Sequence, residues 1–87
     1  MTTLTVTVTR EDIERGRRNA VGCPLARAIR RATRVRPVAV FGGGDGYLCG
    51  DKYYPLKQDA RLFVGLFDSP GTRAWLPAMT FEILGPQ

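Results

Sequence analysis

The sequence predicts a small α+β domain built around a largely antiparallel sheet. The chain has 87 residues, and 44% of them are hydrophobic, which is enough for one compact core. Residues near both ends alternate polar and apolar side chains as half-buried strands do, whereas two central segments repeat apolar residues at helical spacing. The order β-α-α-β-β-β-α-β predicts a single domain over residues 1–87, with one sheet of four or five strands and two or three helices on one face.

The first two elements are a strand and a short helix. Alternation rich in β-branched residues predicts a strand over residues 2–9, with its apolar side chains on one face. Thr9 and Asp12 are spaced as the two partners of a capping box, which starts a helix immediately after the strand. Gly16 ends this helix after about two turns, because glycine weakens helical backbone.

A second helix begins at Cys23 and Pro24, after a loop over residues 17–22. Proline suits the first helical position because the N–H that it lacks has no partner there in any case. Arg36 precedes Pro37, and because a residue before proline leaves the helical region, the helix ends before this point. The apolar stripe of this helix consists of Leu25, Ala28, Ile29 and Ala32.

Three strands with a hairpin follow the second helix. Residues 38–41 form a short apolar strand, and the glycine-rich residues 42–46 form a turn. Two more strands, over residues 47–49 and 52–54, flank a Gly-Asp pair at residues 50–51, which is a two-residue hairpin signal.

The end of the chain contains a helix and a strand. Apolar residues return to helical spacing over residues 56–67, and residues 79–84 alternate again. The two terminal strands are natural partners, because pairing them ties down both ends of the chain. An edge strand left open in such a sheet also makes a homodimer an expectation.

Arginine is concentrated in one segment. Nine of the thirteen basic residues lie between Arg10 and Arg36, and all nine are arginines. With three acids the segment carries +6, and the rest of the chain carries −1, which together give the net charge of +5. The predicted partner-binding residues, four at the spacing of one helix face and two in the preceding loop, are Arg27, Arg30, Arg31, Arg34, Arg17 and Arg18.

This arginine stripe predicts an anionic partner. Guanidinium groups donate forked hydrogen bonds to phosphate and to carboxylate, so a nucleic-acid backbone and an acidic protein surface both fit. A solvated helix face is the alternative, but such a face usually mixes basic and acidic residues. We favour an acidic protein surface, because the sequence has no recognisable DNA- or RNA-binding motif.

The residue types argue against an enzyme. Histidine, the usual general base and the commonest metal ligand, is absent. The glycine-rich turn lacks the Lys-Ser/Thr of a phosphate-binding loop, and two cysteines are too few for structural zinc. We therefore expect no catalytic residue, cofactor or metal.

Cys23 leaves two interpretations open. A thiol at a helix start, close in sequence to several arginines, is typical of a reactive thiolate with a lowered pKa. The alternative is a structural cysteine packed into the core. Cys49 is the second cysteine, and we expect both thiols to be reduced because we expect a cytoplasmic protein.

The sequence gives no sign of a membrane protein. No apolar run approaches the ~20 residues that a membrane span needs. The first residues lack the charged and apolar regions of a secretory signal. We therefore expect a cytoplasmic location and no membrane partner.

Several short motifs occur together in this chain: a D-I-x-x-G run that starts at Asp12, a Cys-Pro-hydrophobic-Ala helix onset at Cys23, and a late F-D pair followed by glycine. The late part consists of Phe67, Asp68, Gly71, Pro77 and Phe81. This combination resembles a small protein type of bacteriophages, mainly phages of actinobacteria, although the segment between Gly71 and Pro77 is longer here. The resemblance implies a phage or prophage origin and hence the host cytoplasm. It implies no activity and no active residues.

Together these observations predict a non-enzymatic phage accessory protein. It would dock on a host or phage macromolecule through the arginine stripe, in the manner of an inhibitor or modulator of a host machine. The alternative is a nucleic-acid-binding protein without sequence preference, held by counterion release. A third hypothesis is a thiol-dependent protein that uses Cys23.

Overall fold

The computed structural model describes residues 2–41, 45–69, 71 and 74–86. It confirms the α+β class and the predicted order of elements. In chain order the elements are β1 (Thr2–Val8), α1 (Arg10–Arg15), α2 (Pro24–Thr33), β2 (Val38–Val40), β3 (Gly46–Cys49), β4 (Lys52–Pro55), α3 (Gln58–Asp68) and β5 (Met79–Gly85).

Local capping signals place the first two helices as predicted. The Thr9 hydroxyl accepts from the Asp12 N–H at 3.1 Å, and the Asp12 carboxylate accepts from the Thr9 N–H at 2.9 Å, which completes the capping box. Gly16 ends α1 in extended backbone. Cys23 caps α2, and its Sγ accepts from the Ala26 N–H at 3.3 Å.

The strands form two antiparallel sheets, so the prediction of one sheet of four or five strands is wrong. β1 and β5 pair along their whole length, from Thr2 opposite Gly85 to Val8 opposite Met79, which confirms the pairing of the terminal strands. β2, β3 and β4 form the second sheet. The two sheets meet through a side chain, because the Tyr47 hydroxyl donates to the Leu84 carbonyl at 2.6 Å. In a continuous sheet a backbone N–H of the neighbouring strand would donate to such a carbonyl. Here the Tyr47 hydroxyl donates instead.

Helix α2 packs against β1 and β2 at the centre of the molecule. Its buried face includes Leu25, Ala28 and Ile29 as predicted, but Ala26 is buried and Ala32 is exposed. The buried residues therefore lie nearer the start of the helix than predicted. The opposite side of α2 carries the arginines.

The remaining elements close the core. α3 packs against β5, and its Phe63 meets Phe81 edge to face at 5.3 Å between ring centroids. The β3–β4 hairpin turns as predicted, with a positive φ of 67° at Gly50, the conformation that favours glycine.

Candidate interaction site on the second helix

Close contact between α1 and α2 sets up the site. At Gly16 a Cβ would lie 2.7 Å from the Asp12 carbonyl oxygen and 2.7 Å from Cδ of Pro24, nearer than side chains normally approach. Glycine therefore lets the end of α1 rest against the start of α2. This contact brings Asp12 of α1 to the arginine side of α2.

Asp12 binds two of the arginines predicted to face a partner. Arg31 donates through Nη1 to Oδ1 at 3.0 Å and through Nη2 to Oδ2 at 2.7 Å, which is a two-bond fork. Arg27 donates through Nε to Oδ1 at 3.3 Å. Arg31 Nη2 also donates to the Thr7 carbonyl of β1 at 2.8 Å. The same carboxylate therefore caps α1 and holds two side chains of α2.

The electrostatics of Asp12 follow from this geometry. Its side chain is only 1% exposed, and burial alone raises the pKa of a carboxyl group. Hydrogen bonds from Arg31 and from the Thr9 backbone, together with the charge of Arg31, outweigh burial and leave the pKa below its ordinary value. The bond to Asp12 correspondingly raises the pKa of Arg31. Arg27 and Arg31, which the sequence predicts to face a partner, are therefore already paired with a carboxylate of the chain itself.

Arg30, next in sequence to Arg31, has a different environment. Its Nη1 donates to the Val21 carbonyl in the loop before α2. In the described part of the chain Arg30 forms no ion pair, so its charge is not compensated by a carboxylate. The contact fixes the guanidinium beside the exposed side chain of Val21.

The loop over residues 17–22 is itself held in place. The Val40 N–H of β2 donates to the Ala20 carbonyl at 2.8 Å. Within the loop, the Gly22 N–H donates to the Asn19 side chain at 2.6 Å and the Arg17 N–H donates to the Gly22 carbonyl at 2.7 Å. These bonds fix the loop beside the outer edge of β2.

Two adjoining grooves result. We call the first the arginine groove, and it is lined by Arg27, Arg30, Arg31 and Arg36. We call the second the valine groove, and it is lined by Val21, Val38, Pro37, Arg30 and Arg36. Arg30 and Arg36 line both grooves and therefore join them into one continuous surface.

Arg36 is the site residue that the sequence analysis missed. Its position before Pro37 predicts only that α2 ends before this point. The available signal was its place as the last of the nine clustered arginines.

The other three predicted site residues lie outside both grooves. Arg18 donates to the carbonyls of Phe67 and Ser69 at 3.4 and 3.3 Å, so it stabilises the end of α3. Arg34 ends α2 in left-handed backbone with φ of 59°. Arg17 is exposed in the loop. The structure therefore brings together Arg27, Arg30 and Arg31, but not Arg17, Arg18 and Arg34.

Cys23 has the environment of a structural thiol. The residue is 5% exposed, and burial raises the pKa of its thiol, more than the hydrogen bonds from the Ala26 and Leu25 backbone lower it. Of the two interpretations left open by the sequence, the structure therefore supports the structural cysteine packed into the core. Cys49 is also buried, and neither thiol is in a disulfide.

The described residues add two further findings. They contain no group of three or more acidic, cysteine or histidine side chains that could hold a metal ion. No helix among residues 2–41, 45–69, 71 and 74–86 has the length and apolarity required to cross a membrane. Most of the glycine-rich turn, residues 42–44, lies outside the described residues.

The chain matches none of the protein-family models, curated proteins or solved structures with which it was compared. The phage resemblance stays a prediction, and the candidate site rests on its geometry.

Proposed function

We propose that this chain is a non-enzymatic interaction protein that docks on an acidic macromolecule through the arginine groove. The observation that carries the proposal is the convergence of four guanidinium groups on one groove. Among the described residues, one carboxylate, that of Asp12, forms ion pairs with them. An anion of complementary shape would complete the neutralisation.

Preorganisation supports this function. Arg27 and Arg31 are fixed by Asp12, and Arg30 is fixed by the Val21 carbonyl. Immobilising a long side chain on binding costs about 0.5–1.5 kcal/mol, and much of this cost has already been met in folding. The groove is therefore better suited to binding than three mobile arginines would be.

A role without catalysis fits the available side chains. The sequence has no histidine, and Cys23 lies in a buried position that disfavours the thiolate. The proposal includes the phage or prophage origin implied by the resemblance, and the host cytoplasm as location. A protein of this kind would act by occupying a surface of a host or phage macromolecule.

Fluorescence anisotropy with defined probes tests the proposal. The probes are a labelled twelve-residue peptide of glutamate and aspartate and a labelled twelve-nucleotide single strand, each at about 50 and 200 mM salt. We compare the native chain with the double variant Arg30→Glu/Arg36→Glu. We expect the variant to lose at least about tenfold in affinity for whichever probe the native chain binds, because two charges in the groove are reversed.

The matched control is Arg17→Glu/Arg34→Glu. It makes the same change in net charge at two exposed arginines outside the grooves. We expect it to weaken binding less than about threefold, through long-range attraction alone. Equal losses in both variants would show that net charge rather than the groove attracts the probe, and would overturn the proposal.

Nucleic-acid binding is the second candidate function. The observation in its favour is that all four charged groups of the arginine groove are guanidinium groups, which suit phosphate as well as carboxylate. This function requires the oligonucleotide to bind more tightly than the acidic peptide and to lose affinity steeply between about 50 and 200 mM salt. Weaker oligonucleotide binding that does not respond to salt would exclude it.

A further inference from the structure

The arginine groove continues into a surface of a different character. In the valine groove, Val21 is 53% exposed, Pro37 is exposed, and Val38 lies beneath them at 1% exposure. Arg30 and Arg36 stand at the boundary of the two grooves. Aliphatic surface and positive charge therefore meet at the same two residues.

This boundary is rigid on its apolar side. Val21 belongs to the loop that the Val40 N–H holds through the Ala20 carbonyl. Its own carbonyl accepts from Arg30, so the loop and α2 are tied together at this point. An exposed valine in a fixed position presents aliphatic surface at low entropic cost.

The chemistry of both grooves together limits the occupant. The arginine groove requires an anion, and the valine groove offers burial to an aliphatic side chain. A chain with carboxylates on either side of an aliphatic residue satisfies both. Carboxylates bind the guanidinium forks, while the aliphatic side chain covers Val21 and Pro37.

A nucleic-acid strand satisfies only one of the two grooves. Protein sites that hold single strands usually stack the bases on aromatic rings. In the described part of the chain the exposed aromatic residues are Phe41, Tyr53 and Trp75, and none of them lines either groove. The valine groove would stay uncovered beneath a phosphate backbone.

We propose that the partner of this site is an acidic peptide segment of a protein, with an aliphatic side chain seated in the valine groove between Val21 and Pro37. This inference rests on the proposed function and names the partner class for the same site. Arg30 and Arg36 would bind the carboxylates next to the aliphatic anchor, and Arg27 and Arg31 would bind those farther along the peptide.

A coupling experiment tests the inference. Two labelled twelve-residue peptides of glutamate and aspartate differ only at one central position, which is leucine in one and serine in the other. Each is titrated against the native chain, against Val21→Ser and against Arg30→Glu/Arg36→Glu, with thermal melting to confirm that each variant folds. Val21 is exposed, so we expect Val21→Ser to leave the fold intact.

We expect the native chain to bind the leucine peptide about tenfold more tightly than the serine peptide, in line with partial burial of one leucine. Val21→Ser should remove this preference, so that the variant binds the two peptides with equal affinity. The double arginine variant should weaken both peptides. The inference would be overturned if the native chain bound the two peptides with equal affinity. If the double arginine variant still bound both more weakly, the proposed function would stand.

Two further outcomes separate the remaining cases. If the arginine variant binds both peptides as well as the native chain does, the proposed function itself fails. If a twelve-nucleotide strand binds more tightly than the leucine peptide and Val21→Ser does not alter its affinity, the partner is a nucleic acid. That result would also overturn the peptide assignment.

Discussion

Arg30 and Arg31 are neighbours on one helix, yet their side chains have different contacts. Arg31 forms a fork with Asp12 and a further bond to the Thr7 carbonyl, so it joins α2 to α1 and β1. Arg30 binds one main-chain carbonyl, that of Val21, and lines both grooves. Arg31 therefore serves the fold first and brings a partly compensated charge to the arginine groove, whereas Arg30 forms no ion pair with a described residue.

The difference comes from what lies opposite each side chain. Helical spacing places Arg27, Arg30, Arg31 and Arg34 on one face, but a neighbouring helix covers only part of that face. Asp12 reaches Arg27 and Arg31 from the α1 side, at side-chain exposures of 30% and 52%. A regular pattern of charge along a helix therefore does not establish that all its members have the same role.

The largest expected effect comes from removing the shared carboxylate. Asp12→Ala deletes the capping-box acceptor and leaves the two arginines without their partner. We expect a loss of about 3 kcal/mol in the free energy of unfolding, at the lower end for a broken buried ion pair because the arginines are partly solvated. Urea denaturation measures it. A loss below about 0.5 kcal/mol would mean that Arg27 and Arg31 gain nothing from Asp12.

The pH dependence of stability tests the same carboxylate without removing it. The pKa of Asp12 is lower in the folded chain than its ordinary value of 3.8, so the folded state favours the charged form. Its contribution is therefore complete above the ordinary value and is lost as the pH falls through the folded pKa. We expect the native chain to exceed Asp12→Asn in stability at pH 6, and the gap to close as the pH falls below about 4. A gap that is constant from pH 6 to pH 2.5 would contradict this assignment.

Gly16 controls how closely α1 approaches α2. Its replacement should weaken the ion pairs of Asp12 with Arg27 and Arg31. Gly16→Ala places a Cβ 2.7 Å from Pro24 Cδ, so α2 must move away from α1. The same Cβ lies 2.7 Å from the Asp12 carbonyl oxygen of α1, so the backbone at the end of α1 must also shift. We expect a cost of about 2 kcal/mol by urea denaturation. Gly65→Ala is the control, because a Cβ there meets nothing within 4 Å and alanine favours the helix. Equal stability of the two variants would show that the close approach is unimportant.

Local signals account for what the sequence predicted correctly. The capping box of Thr9 and Asp12, the Cys23-Pro24 helix start and the alternation of the terminal strands each depend on residues a few positions apart. Such patterns favour one local conformation of the backbone without reference to distant contacts. The element order could therefore be derived, as could the existence of an arginine-bearing helix face.

Long-range contacts account for what the sequence did not reveal. Asp12 and Arg31 are 19 residues apart in the sequence, and Tyr47 and Leu84 are 37 residues apart. Neither contact can therefore be recognised from the periodicity of the sequence. Asp12 separates the arginines that form ion pairs with it, Arg27 and Arg31, from the others of the stripe. The Tyr47 hydrogen bond to Leu84 joins two sheets where the sequence predicts one. Arg36 enters the site for the same reason, because the loop held beside β2 completes the groove that it lines.

Replacing Arg31 sharpens the comparison because the charge can be kept while the fork is lost. Arg31→Lys retains a cation near Asp12 but cannot donate two parallel bonds. We expect about 1 kcal/mol of destabilisation for lysine and about 1.5–2 kcal/mol for Arg31→Ala, as for hydrogen bonds to a charged group. Thermal melting at matched pH measures both. If lysine were as stable as arginine, simple charge rather than the fork would hold α2 to α1.

The smallest effect on stability is expected at Arg30, and it decides whether the two classes of arginine are real. Arg30→Ala removes one bond to the Val21 carbonyl and no ion pair with a described residue. We expect a change within about 0.5 kcal/mol in the free energy of unfolding, together with weaker binding of the acidic peptide. We expect Arg31→Ala to lower the free energy of unfolding more than Arg30→Ala does, and to weaken binding of the acidic peptide less. Should Arg30→Ala destabilise the chain as much as Arg31→Ala does, both arginines would be structural. Arg30 could then no longer be regarded as a binding residue that joins the arginine groove to the valine groove.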